Sequence, residues 1–326
     1  MTTIDPNAKA SKDSGIFGLE SDFENSRLVL LPVPFEATTS YGVGTVDGPQ
    51  NILEASMQVD LYHDVFPNAW EQGIFMPRES VEVREWNNQA RVWVDKDRDA
   101  ETKTHLAAVN EITEKLNQWV YQETKKNLAA GKIAGLVGGD HATPFGAIRA
   151  HLEKYPAMSV LHFDAHFDLR NAYEGFTDSH ASIMFNVATK LPLKKLVQIG
   201  LRDFCKEEIE FSKSNPRLVA FTDREIFSRK AKGHTWHAIT QDVLKTLSDE
   251  VYVSFDIDGL DPAYCPHTGT PVPGGLSFQE SIYILRSLVE SGKKIVGFDL
   301  VEVGNQEYDG VVGARLLYEL ACLSLR

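Results

Sequence analysis

The amino-acid sequence predicts an α/β fold in which helices cover both faces of a mainly parallel β-sheet. Apolar runs of strand length recur along the chain, and segments with helical spacing lie between most of them. Strands that alternate with helices form parallel sheets, because each crossover helix packs against a face of the sheet. Hydrophobic residues make up 43% of the 326 residues, which is enough to bury a large core without disulfide bonds.

Seven apolar runs are the predicted strands: Arg27–Val33, Ile133–Val137, Ser159–Phe163, Leu196–Gly200, Leu218–Phe221, Val251–Ile257 and Lys294–Leu300. Ligands of parallel sheets bind beyond the carboxyl ends of the strands. Polar residues that follow these runs are therefore the first candidates for function.

The clearest helical pattern covers Leu106–Ala130, where apolar residues recur every three or four positions and Gly131 follows as a stop signal. Four further helices are predicted, at Pro144–Tyr155, Trp236–Leu247, Phe278–Glu290 and Val312–Leu323. The charged segment Pro77–Lys103 has no clear period, so we expect a surface excursion there.

The chain is expected to form one domain preceded by a short arm. Residues 1–25 are polar and irregular, which predicts a loose N-terminal arm. Residues 26–326 contain no internal repeat and no low-complexity linker, so a single domain is expected there.

The balance of acidic and basic residues indicates which kinds of molecule the protein could bind. Asp and Glu outnumber Lys and Arg by 46 to 33, for a formal net charge of -13. Such a protein lacks the basic face that nucleic acids require, whereas its charge suits a cationic substrate. No basic-then-apolar leader opens the chain, and no apolar run approaches the roughly 18 residues of a membrane span. We expect a cytoplasmic protein with no nucleic-acid or membrane partner.

The strongest functional signal is the sequence DAHFD, which directly follows the predicted strand Ser159–Phe163. Alternate side chains of an extended backbone share a face, so Asp164, His166 and Asp168 are expected to point the same way. Two carboxylates and an imidazole at the end of a buried strand would repel and desolvate one another without a cation. The alternative is a group of polar loop residues, since acidic residues often gather at strand ends.

Two further stretches repeat this arrangement. The strand that begins at Val251 ends in Asp256 and Asp258, two carboxylates of the same parity. After another strand, the glycines of GGDH allow a sharp turn that delivers His141 to the same sheet edge. Four carboxylates and two imidazoles are too many and too hard for one tetrahedral zinc ion. They suit two divalent ions, with manganese the natural choice and nickel or another divalent ion as alternatives, and such a site activates water for hydrolysis.

Three nearby polar residues are given other roles. His162 shares the parity of Asp164 but lies deeper in the strand, so we expect a buried structural histidine. Asp140 and Asp299 are expected to orient ligands or cap turns rather than to bind metal.

Together these stretches resemble the ureohydrolase family of arginases and agmatinases, and agmatinases most. The matching sequences are GGDH at Gly138–His141, DAHFD at Asp164–Asp168, SFDIDGLDP at Ser254–Pro262, TGTPVPGGL at Thr268–Leu276 and DLVEV at Asp299–Val303. The resemblance runs from about Arg27 to the C-terminus. It implies a three-layer αβα fold of the arginase/deacetylase kind, a dimanganese centre, and a homo-oligomer that is a trimer or a hexamer.

The resemblance also implies roles for individual residues. The implied metal ligands are His141, Asp164, His166, Asp168, Asp256 and Asp258. Glu302, within DLVEV, would pair with the substrate guanidinium, consistent with the forked geometry of guanidinium and carboxylate. His180, within SHAS, matches a histidine thought to pass a proton to the leaving amine, a role suited to an imidazole titrating near neutrality. Asp168 would help to hold the tetrahedral adduct, and Thr270 is expected beside the guanidinium.

The implied reaction converts a guanidino group to urea and an amine. The sequence excludes some guanidino substrates less firmly than others and does not select a single one. Arginases place an asparagine two positions after the last aspartate of DAHxD, where this chain has Arg170, so arginine is disfavoured. The loop Tyr173–Ser182 is more similar to agmatinases, and its Glu174 and Asp178 are candidates to face a cationic amine or to belong to a solvated loop. The sequence DAHFDLR, which ends in Arg170, instead resembles formimidoylglutamases, in which a basic residue contacts a substrate carboxylate. Agmatine is the leading expectation, and guanidinobutyrate or another guanidino acid, guanidine, arginine and formiminoglutamate are the alternatives.

Two other classes are weighed against this one. A deacetylase shares the fold but normally uses one zinc ion, and the presence of both GGDH and DLVEV argues against it. A non-catalytic regulator that binds metal or polyamine would be expected to lack a ligand or His180, and this sequence lacks neither.

Overall fold

The computed structural model describes residues 10–11, 14–97 and 104–326. Within them a single sheet contains β1 (Leu28–Val33), β2 (Ile74–Phe75), β3 (Ile133–Gly138), β4 (Ser159–Phe163), β5 (Lys195–Leu201), β6 (Leu218–Thr222), β7 (Glu250–Asp256) and β8 (Lys294–Val301). The strand order is β2-β1-β3-β8-β7-β4-β5-β6, and every neighbouring pair is parallel. The seven predicted strands are confirmed to within one residue at each end, and only the two-residue edge strand β2 escapes prediction.

The helices of the described residues are α1 (Gly48–Ser56), α2 (Val81–Asp97), α3 (Leu106–Ala129), α4 (Phe145–Lys154), α5 (Ile183–Lys190), α6 (Lys206–Ser214), α7 (Asp223–Ala231), α8 (Trp236–Thr246), α9 (Phe278–Glu290) and α10 (Glu307–Ser324). Apolar side chains of α1 and α7 to α10 pack on one face of the sheet. Those of α2 to α6 pack on the other face. The predicted three-layer αβα architecture is therefore confirmed.

The prediction of a surface excursion at Pro77–Lys103 is wrong for residues 77–97, and residues 98–103 lie outside the described residues. Most of this segment forms α2, whose buried stripe is Val83, Asn87, Ala90, Val94 and Asp97. The stripe has helical spacing, but Asn87 and Asp97 stand where an apolar residue would have revealed the period.

Part of the predicted N-terminal arm lies outside the described residues. Among those described, Ile16–Gly18 form a short 3-10 turn, and Ile16, Phe17 and Leu19 are buried in the main core. The Phe17 ring meets the Tyr318 ring of α10 edge to face, with centroids 4.8 Å apart. These contacts fix residues 16–19 against the domain that follows. Elsewhere in the described chain, every helix is too short or too polar to cross a bilayer.

Candidate metal centre

The turn after β3 carries His141 and leaves no room for a side chain at Gly139. A Cβ atom there would lie 2.0 Å from the carbonyl oxygen of Phe35. The Gly139 N–H donates to the Val33 carbonyl at 2.9 Å, and its own carbonyl accepts from the Glu302 N–H at 2.8 Å. The glycine thus lets the backbone pass between the ends of β1 and β8, which places His141 over the middle of the sheet.

The remaining predicted ligands follow β4 and β7, which are neighbours in the sheet. Strand parity predicts the directions of these side chains only in part, because the backbone does not stay extended. Asp168 has a left-handed φ of 53°, and Asp258 lies in a 3-10 turn where its N–H donates to Asp256 Oδ1 at 2.8 Å. Both side chains nevertheless reach the cluster. A left-handed aspartate is uncommon, and such residues concentrate at functional sites.

Two groups of side chains meet at this edge of the sheet. The Nδ1 atom of His141 lies 3.0, 3.1 and 3.2 Å from carboxylate oxygens of Asp164, Asp168 and Asp256. The Nδ1 atom of His166 lies 3.3 Å from Asp164 Oδ1 and 3.2 Å from Asp258 Oδ2. Asp164 contributes one oxygen to each group, so the two groups adjoin.

The charges of this cluster are strongly coupled. Burial, together with Asp258 and Asp164, raises the pKa of Asp256 well above its usual range. Burial and the neighbouring Asp164 raise the pKa of Asp168 to about 7. Although burial opposes it, the surrounding carboxylates raise the pKa of His166 to about 12. Without a metal, bound protons reduce the repulsion among these carboxylates. A divalent cation would reduce it more strongly. The ligand atoms of His141, His162, Asp164 and Asp168 lie within 4.8 Å of one another, as do those of Asp164, His166 and Asp258, and two such groups fit two ions.

His162 lies against this cluster as a buried histidine, in agreement with the sequence-based expectation. Its Nε2 atom is 2.8 Å from Asp164 Oδ2, and its Nδ1 atom accepts from the Gln198 side-chain amide at 2.9 Å. Both ring nitrogens are therefore occupied, and burial lowers the pKa of His162. The arrangement suits a residue that orients Asp164.

A second polar contact lies behind His141. Its Nε2 atom is 3.0 Å from Ser254 Oγ, and that hydroxyl donates to Asp299 Oδ1 at 3.0 Å. Ser254 and Asp299 are register partners on β7 and β8. The sequence predicts an orienting role for Asp299 but misses Ser254. Its position two residues before Asp256, on the same face of β7, is the signal that would have found it.

Glu302 is buried and has one free carboxylate oxygen. Its Oε1 atom accepts from the His141 N–H at 3.0 Å, and its Oε2 atom has no partner among the described residues. Burial and the nearby Asp140 raise its pKa well above the ordinary value. Glu302 also has a left-handed φ of 60°, which turns the chain after β8. A buried carboxylate with an unused oxygen is prepared to accept a charged donor.

A cleft of about 300 Å³ opens onto the cluster. Besides His166 and Asp168, its lining includes Arg170, Tyr173, His180, Asp203, Glu208 and Thr270. The structure thus brings the predicted residues Arg170, His180 and Thr270 to the same cavity. Asp203 and Glu208, which follow β5 without any motif, were missed by sequence reasoning.

His180 stands at the wall of this cleft. Its Nδ1 atom is 3.4 Å from Thr38 Oγ1, and its ring meets the Tyr173 ring edge to face at 5.9 Å. Burial and the positive charge of His166 lower its pKa to about 4, so the imidazole is neutral at pH 7. This differs from the expectation of a group titrating near neutrality, because the ring is partly desolvated at the cleft wall and faces the positive charge of His166.

The loop candidates for an amine contact lie elsewhere. Asp178 accepts from the side-chain amides of Asn117 and Asn186 and lies 3.5 Å from Lys190. Neither Asp178 nor Glu174 lines the cleft. The acidic residues that do line it beyond the cluster are Asp203 and Glu208.

Comparison with known proteins agrees with this geometry. The model of the Arginase family matches residues 26–322. The N(1)-aminopropylagmatine ureohydrolase of Thermus thermophilus is 30% identical over 307 residues, covering 93% of this chain and 92% of that protein. The agmatinase of Bacillus anthracis is 29% identical over 281 residues, covering 86% and 84%.

Solved structures show the same fold. The agmatine ureohydrolase of Thermoplasma volcanium aligns with a TM-score of 0.73 and 23% identity over 98% of this chain and 94% of that one. The proclavaminate amidino hydrolase of Streptomyces clavuligerus aligns with a TM-score of 0.78 and 22% identity over 98% and 99%. From the family match and the metal-binding geometry together, the chain belongs to the arginase family and is a metal-dependent hydrolase of guanidino C–N bonds.

Proposed function

We propose that this protein hydrolyses agmatine to urea and putrescine at a centre of two divalent ions. The observation that carries the choice of agmatine is the charge of the cleft. Asp203 is exposed there, and no described residue pairs with its carboxylate, whereas the one arginine of the cleft already has partners.

The contacts of Arg170 support an amine rather than a carboxylate at the end of the substrate. Its guanidinium lies over the Tyr173 ring at 4.9 Å, and its Nε atom is 3.9 Å from the buried carboxylate of Glu208. A substrate carboxylate would have to compete with Glu208 for this cation. We therefore assign Arg170 to the wall that contacts the substrate chain, and the terminal ammonium to the neighbourhood of Asp203. The similar proteins named agmatinase and N(1)-aminopropylagmatine ureohydrolase support a cationic substrate.

The proposed ligands of the two ions are His141, Asp164, His166, Asp168, Asp256 and Asp258. Hard carboxylate oxygens with two imidazoles favour manganese, and nickel is the alternative. When bound, the ions supply Lewis acidity and the activation of water.

The side chains of the protein would do the rest. The free Oε2 atom of Glu302 would accept N–H groups of the guanidinium and hold its plane, with Thr270 beside it. A water oxygen adds to the guanidino carbon, and Asp168 would hold the tetrahedral adduct. The bond from this carbon to the chain nitrogen then breaks, and His180 would pass to that nitrogen the proton that the attacking water loses. His180 would hold this proton only in passing, because its lowered pKa keeps the imidazole neutral at pH 7.

Urea release by the manganese-loaded protein tests the proposal, with agmatine, arginine, guanidinobutyrate and guanidine as parallel substrates and with a nickel-loaded repeat. Hydrolysis of formiminoglutamate is measured by the release of formamide. We expect turnover of agmatine, and a KM for agmatine about fivefold higher in Asp203→Asn, as for a partly exposed ion pair of about 1 kcal/mol. Turnover of guanidinobutyrate in place of agmatine would refute the amine assignment.

We also propose that the protein acts in the cytoplasm as a homo-oligomer, either a trimer or a hexamer, as its family resemblance implies. Light scattering coupled to size-exclusion chromatography measures the mass directly. A monomeric mass at micromolar concentration would contradict this.

A further inference from the structure

A line of buried polar side chains continues beneath the cluster beyond Asp299. We propose that Tyr252 is a positioning residue that anchors Asp299 and, through Ser254, fixes the ring of His141. The inference rests on the two-ion centre of the proposed function but is independent of which guanidino compound is cleaved.

The sheet brings Tyr252 and Asp299 together. Tyr252 and Ser254 share one face of β7, where their register partners on β8 are Gly297 and Asp299. Both Tyr252 and Asp299 are fully buried. Neither the Tyr252 hydroxyl nor Asp299 Oδ2 has a hydrogen-bond partner in good geometry among the described residues, but the two groups are close enough for each to shift the pKa of the other. Burial and the adjacent Asp299 carboxylate raise the pKa of Tyr252 well above its ordinary value, so the phenol keeps its proton.

The donor-to-acceptor direction of these hydrogen bonds runs from the metal cluster toward Asp299, beside the Tyr252 hydroxyl. His141 directs Nδ1 at three carboxylates, so metal binding there requires the proton on Nε2. That N–H donates to Ser254 Oγ, whose own hydrogen goes to Asp299 Oδ1. Asp299 therefore accepts on one oxygen and needs a donor for the other. The neighbouring Tyr252 hydroxyl is such a donor.

A second histidine packs the phenol in place. The His151 ring meets the Tyr252 ring edge to face, with centroids 5.0 Å apart. It occupies the space over Gly297, where a Cβ atom would lie 2.1 Å from its Nε2 atom. His151 Nδ1 donates to the Ala147 carbonyl at 2.8 Å, and burial lowers its pKa to about 4, so the ring is neutral. A purely apolar role for Tyr252 would need no hydroxyl, and a buried hydroxyl without a partner destabilises the folded state.

The test compares Tyr252→Phe with Tyr318→Phe, which also removes a buried tyrosine hydroxyl but one bonded to the Leu61 carbonyl, away from the cluster. Manganese affinity is measured by competition with a chelator, and the visible absorption of the cobalt-loaded protein reports ligand geometry. Changes behind metal ligands weaken binding by about 10- to 100-fold. For this more remote group we expect about tenfold weaker manganese binding and an altered cobalt spectrum. Tyr318→Phe is expected to match the wild type in both.

Asp299→Asn provides the linked measurement. Because Tyr252 acts through Asp299, adding Tyr252→Phe to Asp299→Asn should weaken manganese binding no further. Wild-type affinity and spectrum in Tyr252→Phe would overturn the proposal, as would an undiminished effect in the Asp299→Asn background. Should Tyr252→Phe not fold, His151→Gln frees the phenol instead, and an unchanged affinity there would overturn the proposal equally. Metal binding without agmatine turnover would refute the proposed substrate while leaving this inference standing.

Discussion

The substitution Gly139→Ala should damage the metal centre far more than it damages the fold. Gly139 does not have a positive φ, so alanine is conformationally allowed, and the obstacle is steric. The new Cβ would lie 2.0 Å from the Phe35 carbonyl oxygen, where real contacts of this kind begin at about 3 Å. The turn must therefore move by about 1 Å, and His141 is only two residues away. A misplacement of about 1 Å at a catalytic site costs about 100-fold in rate.

The assay is kcat/KM for urea release at saturating manganese, together with manganese affinity and the urea midpoint of unfolding. Gly292→Ala is the matched control, because its φ of 88° strains an alanine but nothing lies within 4 Å of the new Cβ. We expect the control to lose about 1–2 kcal/mol of stability and no activity. A Gly139→Ala enzyme with activity within threefold of the wild type would refute the claim that this glycine positions His141.

Three further changes test other parts of the site and the fold. Asp256→Asn should abolish turnover while the metal-free protein keeps its thermal midpoint, because burial already favours the protonated carboxyl there; retained activity would remove Asp256 from the ligand set. Glu302→Gln should raise the inhibition constant of guanidinium by about 10- to 100-fold, the value of a hydrogen bond to a charged group, and an unchanged constant would exclude this contact. At Glu319, partners His63 and Arg286 hold the pKa below its ordinary value although burial opposes them. Its contribution to stability is therefore present above pH 4.5 and lost as pH falls. The urea concentration at the midpoint of unfolding should change less between pH 6 and pH 3.5 in Glu319→Gln than in the wild type. An equal change in both proteins would contradict this.

The sequence predicts that the six proposed ligands lie together, because each sits in a short motif directly after a buried strand. DAHFD and GGDH need only local chemistry and the rule that parallel strands end at one edge. Strand parity explains less well why these side chains point toward one another. Asp168 and Asp258 leave the extended conformation, so their directions depend on turn geometry rather than on strand parity.

The cleft is predictable only in part, since its walls come from segments far apart in the chain. Asp203 and Glu208 follow β5, which lies beside β4 in the sheet, and nothing in the local sequence reveals that neighbourhood. Helix α2 was missed for the opposite reason, because a buried polar residue, Asn87, masks an otherwise helical stripe. Tertiary packing explains both features, and a single-sequence pattern does not contain it.

The proposed metal ligands are widely spaced along the chain, so binding of the ions and stability of the fold should be coupled. His141 and Asp164 are 23 positions apart, and Ala165 is 93 positions from Asp258, whose carboxylate accepts its N–H. An unfolded chain cannot present such distant groups together, so ions bind almost only the folded form. Once the free ion exceeds its dissociation constant, each tenfold rise adds about 1.4 kcal/mol of stability per site. A chelator would then act as a mild denaturant, and metal starvation would lower the free energy of unfolding of the whole domain.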